Sequence, residues 1–270
     1  MTDQVVLVGC GNMGRAMLAG WLGSASDTRL HVVEPSGEMR QRAIDIGADA
    51  VESLDHLPAD LKPDLVFLAV KPQVMAEVVP AYGAWAGGGT TFVSVAAGTT
   101  IATLAAMLPG ATPIIRCMPN TPSAIGSGML VCVANAHTAT EARDLTTAML
   151  RTSGEVDWIE DEALMDAVTA VSGSGPAYVF HMVECLAAAG EKVGLPADLA
   201  MRMAKQTVMG AGRLAAESDT PPGTLRQQVT SPGGTTAAGL SVLMAEPGLQ
   251  ALMTGTVEAA RDRGRELGKT

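Results

Sequence analysis

A short β-branched run, Val5-Val6-Leu7-Val8, passes directly into Gly9-Cys10-Gly11-Asn12-Met13-Gly14, and a helical pattern follows. This junction restricts the fold more than any other feature of the chain. A strand that ends in three glycines at that spacing and then opens a helix makes the first turn of a dinucleotide-binding βαβ unit. Gly9 permits the tight turn, Gly11 lets backbone approach a pyrophosphate, and Gly14 lets the helix pack on the strand. The N–H groups of the helix start then face the phosphates. A purely structural glycine turn would explain the glycines but not Glu34, which ends the next apolar run.

A carboxylate at the place of Glu34 accepts hydrogen bonds from the ribose hydroxyls of NAD and repels the 2′-phosphate of NADP. Ser36 and Arg40 stand just beyond it and are equipped to hold that phosphate instead. The chemistry at Glu34 favours NAD, while NADH and NADPH both stay open at this level. Two more loops fall at the carboxyl ends of apolar runs, where ligands of open α/β sheets bind. They are Ala69-Val70-Lys71-Pro72 and Ser94-Val95-Ala96-Ala97-Gly98-Thr99. Lys71 reads equally as a surface lysine or as a cofactor contact. Ala96 and Ala97 leave room for a flat ring or a ribose beside the backbone.

Over residues 1–160, apolar runs alternate with helical stretches. The runs are Val5–Val8, Leu30–Val33, Leu65–Val70, Thr91–Val95 and Pro113–Cys117, with helical stretches near 12–24, 37–47, 73–82 and 100–107. This alternation predicts an α/β fold, a Rossmann-type parallel sheet doubly wound with helices. After residue 160 the pattern changes to Ala-, Leu- and Met-rich helices near 162–171, 177–193, 197–217, 235–245 and 249–267. We expect a dinucleotide-binding domain over 1–160 and an all-α domain over 161–270. Its apolar faces are buried within its own bundle or against another subunit.

Composition narrows the function classes. With 18 Lys and Arg against 28 Asp and Glu, the net charge is −10, which argues against nucleic-acid binding because phosphate contacts need clustered cations. The uncharged span from Val78 to Ile115 is broken by Gly87-Gly88-Gly89 and Pro109, which argues against a membrane span. The first residues show no secretory leader pattern, so a cytoplasmic location is expected. Cys10, Cys117, Cys132 and Cys185 lack paired spacing, as do the four histidines. Neither a metal site nor a disulfide framework is expected, and all four cysteines read as small hydrophobes.

Three further segments are dense in turn residues: Arg116-Cys117-Met118-Pro119-Asn120-Thr121-Pro122, Ser172-Gly173-Ser174-Gly175-Pro176-Ala177-Tyr178 and Thr230-Ser231-Pro232-Gly233-Gly234-Thr235-Thr236. The last opens onto a helix, and its hydroxyls at Ser231, Thr235 and Thr236 suit a carboxylate receptor. By spacing alone the simpler reading is a helix cap. Tyr178, placed after Gly-Pro, reads as a packing residue at a helix start.

Taken in order, GCGNMG, AVKP, SVAAGTT, RCMPNTP, SGSGPAYVF and TSPGGTT make the chain resemble the pyrroline-5-carboxylate reductases from about Val5 to Leu267. SPGGTT with its following helix is the most specific part, whereas GCGNMG is shared with many reductases. The resemblance implies a Rossmann domain, a helical dimerisation domain, and reduction of the cyclic imine 1-pyrroline-5-carboxylate to L-proline with NADPH or NADH. It implies that the dinucleotide touches Gly9, Cys10, Gly11, Asn12, Met13, Gly14, Glu34, Ser36, Ala69, Val70, Lys71, Pro72, Ala96 and Ala97. The substrate carboxylate would meet Ser231, Thr235 and Thr236, with Thr236 also near the ring nitrogen as the catalytic hydroxyl. Glu162 and Gln228 fall at positions that contribute to the site in some members, although Gln228 departs from the Asn of the animal enzymes. Glu34 stands where NADP-preferring members carry small or hydroxyl residues. Homodimers, often assembled into decamers, are a family trait, and the substrate loop and nicotinamide can come from different subunits.

Imine reduction requires no nucleophile and no strong general base, which accords with a sequence lacking such a constellation. A β-hydroxyacid dehydrogenase would share the architecture, but Lys192 and Lys205 lie outside the G-x-x-x-K-x-x-x-N setting of that family. A sister cyclic imine as substrate, or a redox sensor without catalysis, are the other readings. A sensor has no use for a carboxylate receptor.

Overall fold

In the computed structural model, which describes residues 2–24 and 27–268, alternate residues of the central strands feed two separate cores. Val5, Leu7, Leu65, Phe67 and Val93 enter one cluster with Met17, Leu18 and Trp21. Val6, Val8, Val66, Leu68 and Phe92 enter the other with Met75, Val79 and Leu104. Both faces of these strands are therefore covered, which is why their sequences are continuously apolar rather than alternating.

The elements run β1 (Gln4–Val8), α1 (Asn12–Leu22), β2 (Arg29–Val33), α2 (Gly37–Ile44), β3 (Ala50–Val51), β4 (Leu65–Leu68), α3 (Met75–Val78), β5 (Thr91–Ser94), α4 (Ile101–Met107), β6 (Ile114–Met118), β7 (Gly128–Ala134), α5 (Thr140–Arg151), β8 (Gly154–Trp158) and α6 (Met165–Val168). Then come α7 (Gly175–Lys192), α8 (Ala197–Glu217), α9 (Pro222–Gln228), α10 (Thr235–Leu243) and α11 (Leu249–Leu267). The strands form one sheet in the order β3-β2-β1-β4-β5-β6-β7-β8. Every neighbouring pair is parallel except β6 with β7, which run antiparallel. The winding reverses between β1 and β4, and the crevice beyond their carboxyl ends is where such sheets bind ligands.

β7, α5 and β8 extend the sheet past the strands that the apolar runs predict. α5 is polar overall, but Met149 and Leu150 are buried on the first core. The Trp21 indole, whose ring lies 4.8 Å from that of Phe67, donates to the Met149 carbonyl at 2.9 Å. β4 stops at Leu68, two residues short of the apolar run, because Val70-Lys71-Pro72 turns into a 3₁₀ segment and proline has no N–H for the ladder. The helix expected over 162–171 is instead a 3₁₀ turn (Glu162–Leu164), α6 and a π-helical turn (Thr169–Gly173).

The chain divides into two compact units, one of Met1–Gly173 with Arg261–Thr270 and one of Ser174–Ala260. Residues 162–173 thus belong with the sheet, although the sequence pattern changes near residue 160. In the second unit α7 packs on α8, closely enough that a Cβ added to Gly190 would sit 3.2 Å from the Ala200 methyl. Its buried apolar residues are small, Ala187, Ala200 and Ala204, while Phe180, Met182, Met203, Leu214 and Leu252 are exposed. Large apolar side chains left outside on this scale mark a protein contact surface. Among the described residues no helix is long and apolar enough to cross a membrane.

Candidate active site

The glycine turn closes as its sequence requires. Gly9 adopts φ +90°, and a Cβ there would stand 2.8 Å from Val70 Cγ1. A Cβ on Gly14 would collide with the Gly9 carbonyl oxygen. Gly11 is different, because nothing lies within 4 Å of where its Cβ would be. The protein itself therefore needs Gly9 and Gly14 bare, whereas the space at Gly11 is open to a ligand. Gly11 is also the N-cap of α1 and offers no side chain to its first N–H groups. An uncapped helix start of eleven residues, approached through a bare glycine, fits a pyrophosphate.

Glu34 closes the far side of this turn. It is only 6% exposed, and its two carboxylate oxygens accept from the Cys10 N–H at 2.7 Å and the Ser36 N–H at 2.9 Å. Burial, and then the charge of Glu34, push the Cys10 thiol up to about 11. Ser36 caps α2, its hydroxyl accepting from the Met39 N–H at 3.5 Å. Arg40 donates to the carbonyls of Glu34 at 2.8 Å and Pro35 at 3.1 Å, and pairs with Glu52 at 3.5 Å.

The next two loops adjoin the turn through the sheet. Ala69 N–H donates to the Val8 carbonyl at 2.8 Å and Val95 N–H to the Leu68 carbonyl at 3.1 Å. Ala96 is buried, Ala97 and Lys71 are exposed, and Pro72 begins a 3₁₀ turn. A cleft of about 590 Å³ opens beside them, lined by Pro72, Ala97, Gly98, Thr99, Asp166 and Gly264 among others.

Glu162 is already engaged within the same unit. Its Oε1 accepts from the Arg116 guanidinium and from the Ile101 N–H, each at 2.9 Å. Arg116 is the residue that reading the sequence left without a role. A charge inside the apolar run Ile114-Ile115-Arg116-Cys117 was the available signal, since a buried cation demands a partner. Asn120 is a second such case, bonding the Ser172 carbonyl at 3.1 Å and the Met129 N–H at 3.0 Å.

The remaining candidates belong to the second unit. Thr235 and Thr236 are the first two residues of α10, behind an N-cap, Gly234, that supplies no side chain. Ser231 precedes a turn in which Gly233 takes φ +70°, and all three hydroxyl residues are exposed. Gln228 ends α9, and Tyr178 lies in the first turn of α7. Of the cysteines, Cys10, Cys117 and Cys132 are buried. Cys185 departs from the expected small hydrophobe, being exposed on α7 with its sulfur 3.5 Å from His181 Nε2. Among the described residues no group of three or more His, Cys, Asp or Glu could hold a metal ion.

The family model for pyrroline-5-carboxylate reductase dimerisation matches residues 162–267, and that for coenzyme F420-dependent NADP oxidoreductase matches residues 4–98. The chain is 38% identical over 268 residues to the pyrroline-5-carboxylate reductase of Pseudomonas aeruginosa, covering 98% of this chain and 97% of that one. The solved pyrroline-5-carboxylate reductase of Coxiella burnetii matches with a TM-score of 0.94 and 33% identity, covering 100% of both chains. The pyrroline carboxylate reductase of Plasmodium falciparum, solved with NADP bound, matches with a TM-score of 0.81 at 27% identity, covering 98% of both chains.

Proposed function

This chain belongs to the pyrroline-5-carboxylate reductase family, and we propose on that premise that it reduces 1-pyrroline-5-carboxylate to L-proline with a nicotinamide dinucleotide. The observation that carries the cofactor half is the glycine turn, in which only Gly11 is bare for a reason outside the protein. Gly9 through Gly14 hold the pyrophosphate, Glu34 and Ser36 border the adenosine ribose, and Ala69 through Pro72 with Ala96 and Ala97 hold the nicotinamide side. When bound, the reduced nicotinamide supplies a hydride equivalent to the imine carbon.

The hydroxyls of Ser231, Thr235 and Thr236 at the start of α10 form the carboxylate clamp of the substrate. Carboxylates are favoured there because the first N–H groups of the nine-residue helix have no side-chain cap and carry the positive end of its dipole. Thr236 also holds the proton at the ring nitrogen, a modest demand because a cyclic imine is basic enough to be protonated on binding. Positioning, rather than strong acid or base chemistry, is what this chain must provide. Glu162 acts on the site through Arg116 and the Ile101 N–H rather than on the substrate.

The exposed apolar faces of the second unit support a homodimer, further assembled into decamers. The free buried thiols suit a reducing compartment, and we place the enzyme in the cytoplasm. The test is oxidation of NADH and NADPH with 1-pyrroline-5-carboxylate, on wild type and on Thr236→Ala. We expect turnover that falls roughly tenfold to a hundredfold in the variant with dinucleotide affinity unchanged. A folded, dinucleotide-binding protein that oxidises neither cofactor would overturn the reading.

A further inference from the structure

Glu34 is locked in place. Each carboxylate oxygen accepts a backbone N–H, from Cys10 within the glycine turn and from Ser36 after β2, at 2.7 and 2.9 Å. To move away, the group would break two charge-assisted hydrogen bonds and expose a loop amide that it now satisfies. A carboxylate has about four acceptor positions, so two are left for donors brought by a ligand. At the end of the second strand those donors are the 2′- and 3′-hydroxyls of the adenosine ribose.

The cation that would answer a 2′-phosphate is occupied. Arg40 gives its guanidinium to the carbonyls of Glu34 and Pro35 and to the carboxylate of Glu52. Arg42, two residues further on α2, is paired with Glu38 at 2.6 Å. With Arg15 it lines a groove between α1 and α2 that runs up to Cys10 and Gly11. A phosphate at the 2′ position would thus meet a fixed anion, while the adjacent arginine is held on main-chain oxygens.

We infer that Glu34, fixed by the amides of Cys10 and Ser36, makes this chain prefer NADH over NADPH. The inference rests on the dinucleotide reading above and goes beyond it by choosing between the two cofactors.

The experiment measures binding directly, by nicotinamide fluorescence, of NADH and NADPH to the full chain, and by calorimetry of ADP-ribose and its 2′-phosphate. We expect wild type to bind the unphosphorylated member of each pair about tenfold or more tightly, the scale of one like-charge contact. Glu34→Ser should bring the ratio down about tenfold, with NADPH gained and NADH lost. Glu34→Gln keeps an acceptor for one of the two amides and guards against a loop that simply unfolds, so it should gain affinity for NADPH while still giving a cooperative melting transition. Equal or tighter binding of NADPH by wild type, as would follow if Arg15 gripped the phosphate, overturns the inference and leaves the reductase reading intact. Binding of neither dinucleotide overturns both.

Discussion

One carboxylate oxygen of Glu162 lies 2.9 Å from Arg116 Nη1, while the same atom accepts the first N–H of α4 through Ile101 at an equal distance. This single atom ties together β6, the helix after the Ala96-Ala97 loop and the segment that leads out of β8. The Arg116 side chain is 6% exposed, so its charge has little water to turn to. Glu162→Ala should therefore cost about 3–5 kcal/mol in urea denaturation, the penalty of a buried charge left alone. Adding Arg116→Met should recover part of that loss. A cost below about 1 kcal/mol for Glu162→Ala would place the pair with weak surface ion pairs instead.

Two glycines of the same turn should fail in different ways. Gly14→Ala forces a methyl onto the Gly9 carbonyl oxygen, and overpacking of this kind costs about 1–3 kcal/mol of stability. Gly11→Ala meets no protein atom within 4 Å, so its melting temperature should stay near that of wild type. Its dinucleotide affinity should nonetheless fall by tenfold or more, roughly 1.4 kcal/mol, because the methyl occupies ligand space. Unchanged affinity in a folded Gly11→Ala protein would contradict the placement of the pyrophosphate.

Cys117 and Cys132 face each other across the antiparallel β6–β7 pair, and both are buried. The thiol hydrogen bond between them, reinforced by burial, raises Cys117 well above its usual value. Cys10 is pushed up to about 11, chiefly by burial. Reaction with alkylating agents requires the thiolate. Native protein at about pH 8 should leave all three unlabelled, and urea should release them together. Fast native labelling of Cys117 or Cys132, read by mass spectrometry, would contradict this burial.

His31 in β2 is lowered from 6.5, mainly by burial and against the pull of Asp49. Its folded form resists protonation more than its unfolded form does. The associated stability is whole above 6.5 and is lost as pH falls from there toward the folded value. Thermal midpoints should drop on acidification through this window, and His31→Gln should flatten the slope. An equal slope in the variant would remove His31 as the cause.

Phe180 on α7 is 61% exposed within the chain. If the second unit packs against another copy, Phe180→Asp should shift the species seen by light scattering toward monomer. An unchanged mass would move the contact surface elsewhere on the unit.

Much of this molecule can be read along its sequence because the relevant physics is local. The turn at Gly9–Gly14 follows from glycines at a fixed spacing after a strand, and β1, β2, β4, β5 and β6 follow from runs that must be apolar on both faces. Helices such as α8 and α11 announce themselves by periodicity and lie at their expected bounds. Polar α5 and the strands on either side of it were harder to see. α5 owes its place to Met149 and Leu150 on a core assembled from Leu7 and Phe67, more than seventy residues away.

What the sequence determined by itself was the class of fold, the position of the glycine turn and the order of the loops around the sheet. The tertiary structure decided which polar groups meet. Only folding brings Glu34 to the Cys10 amide, 24 positions apart, and turns an acidic residue at a strand end into a fixed anion. Only folding gives Glu162 to Arg116 across 46 positions, and so assigns to the sheet a segment that the sequence grouped with the helices. Such pairings depend on burial and on distances through space, which residue spacing along a chain does not encode.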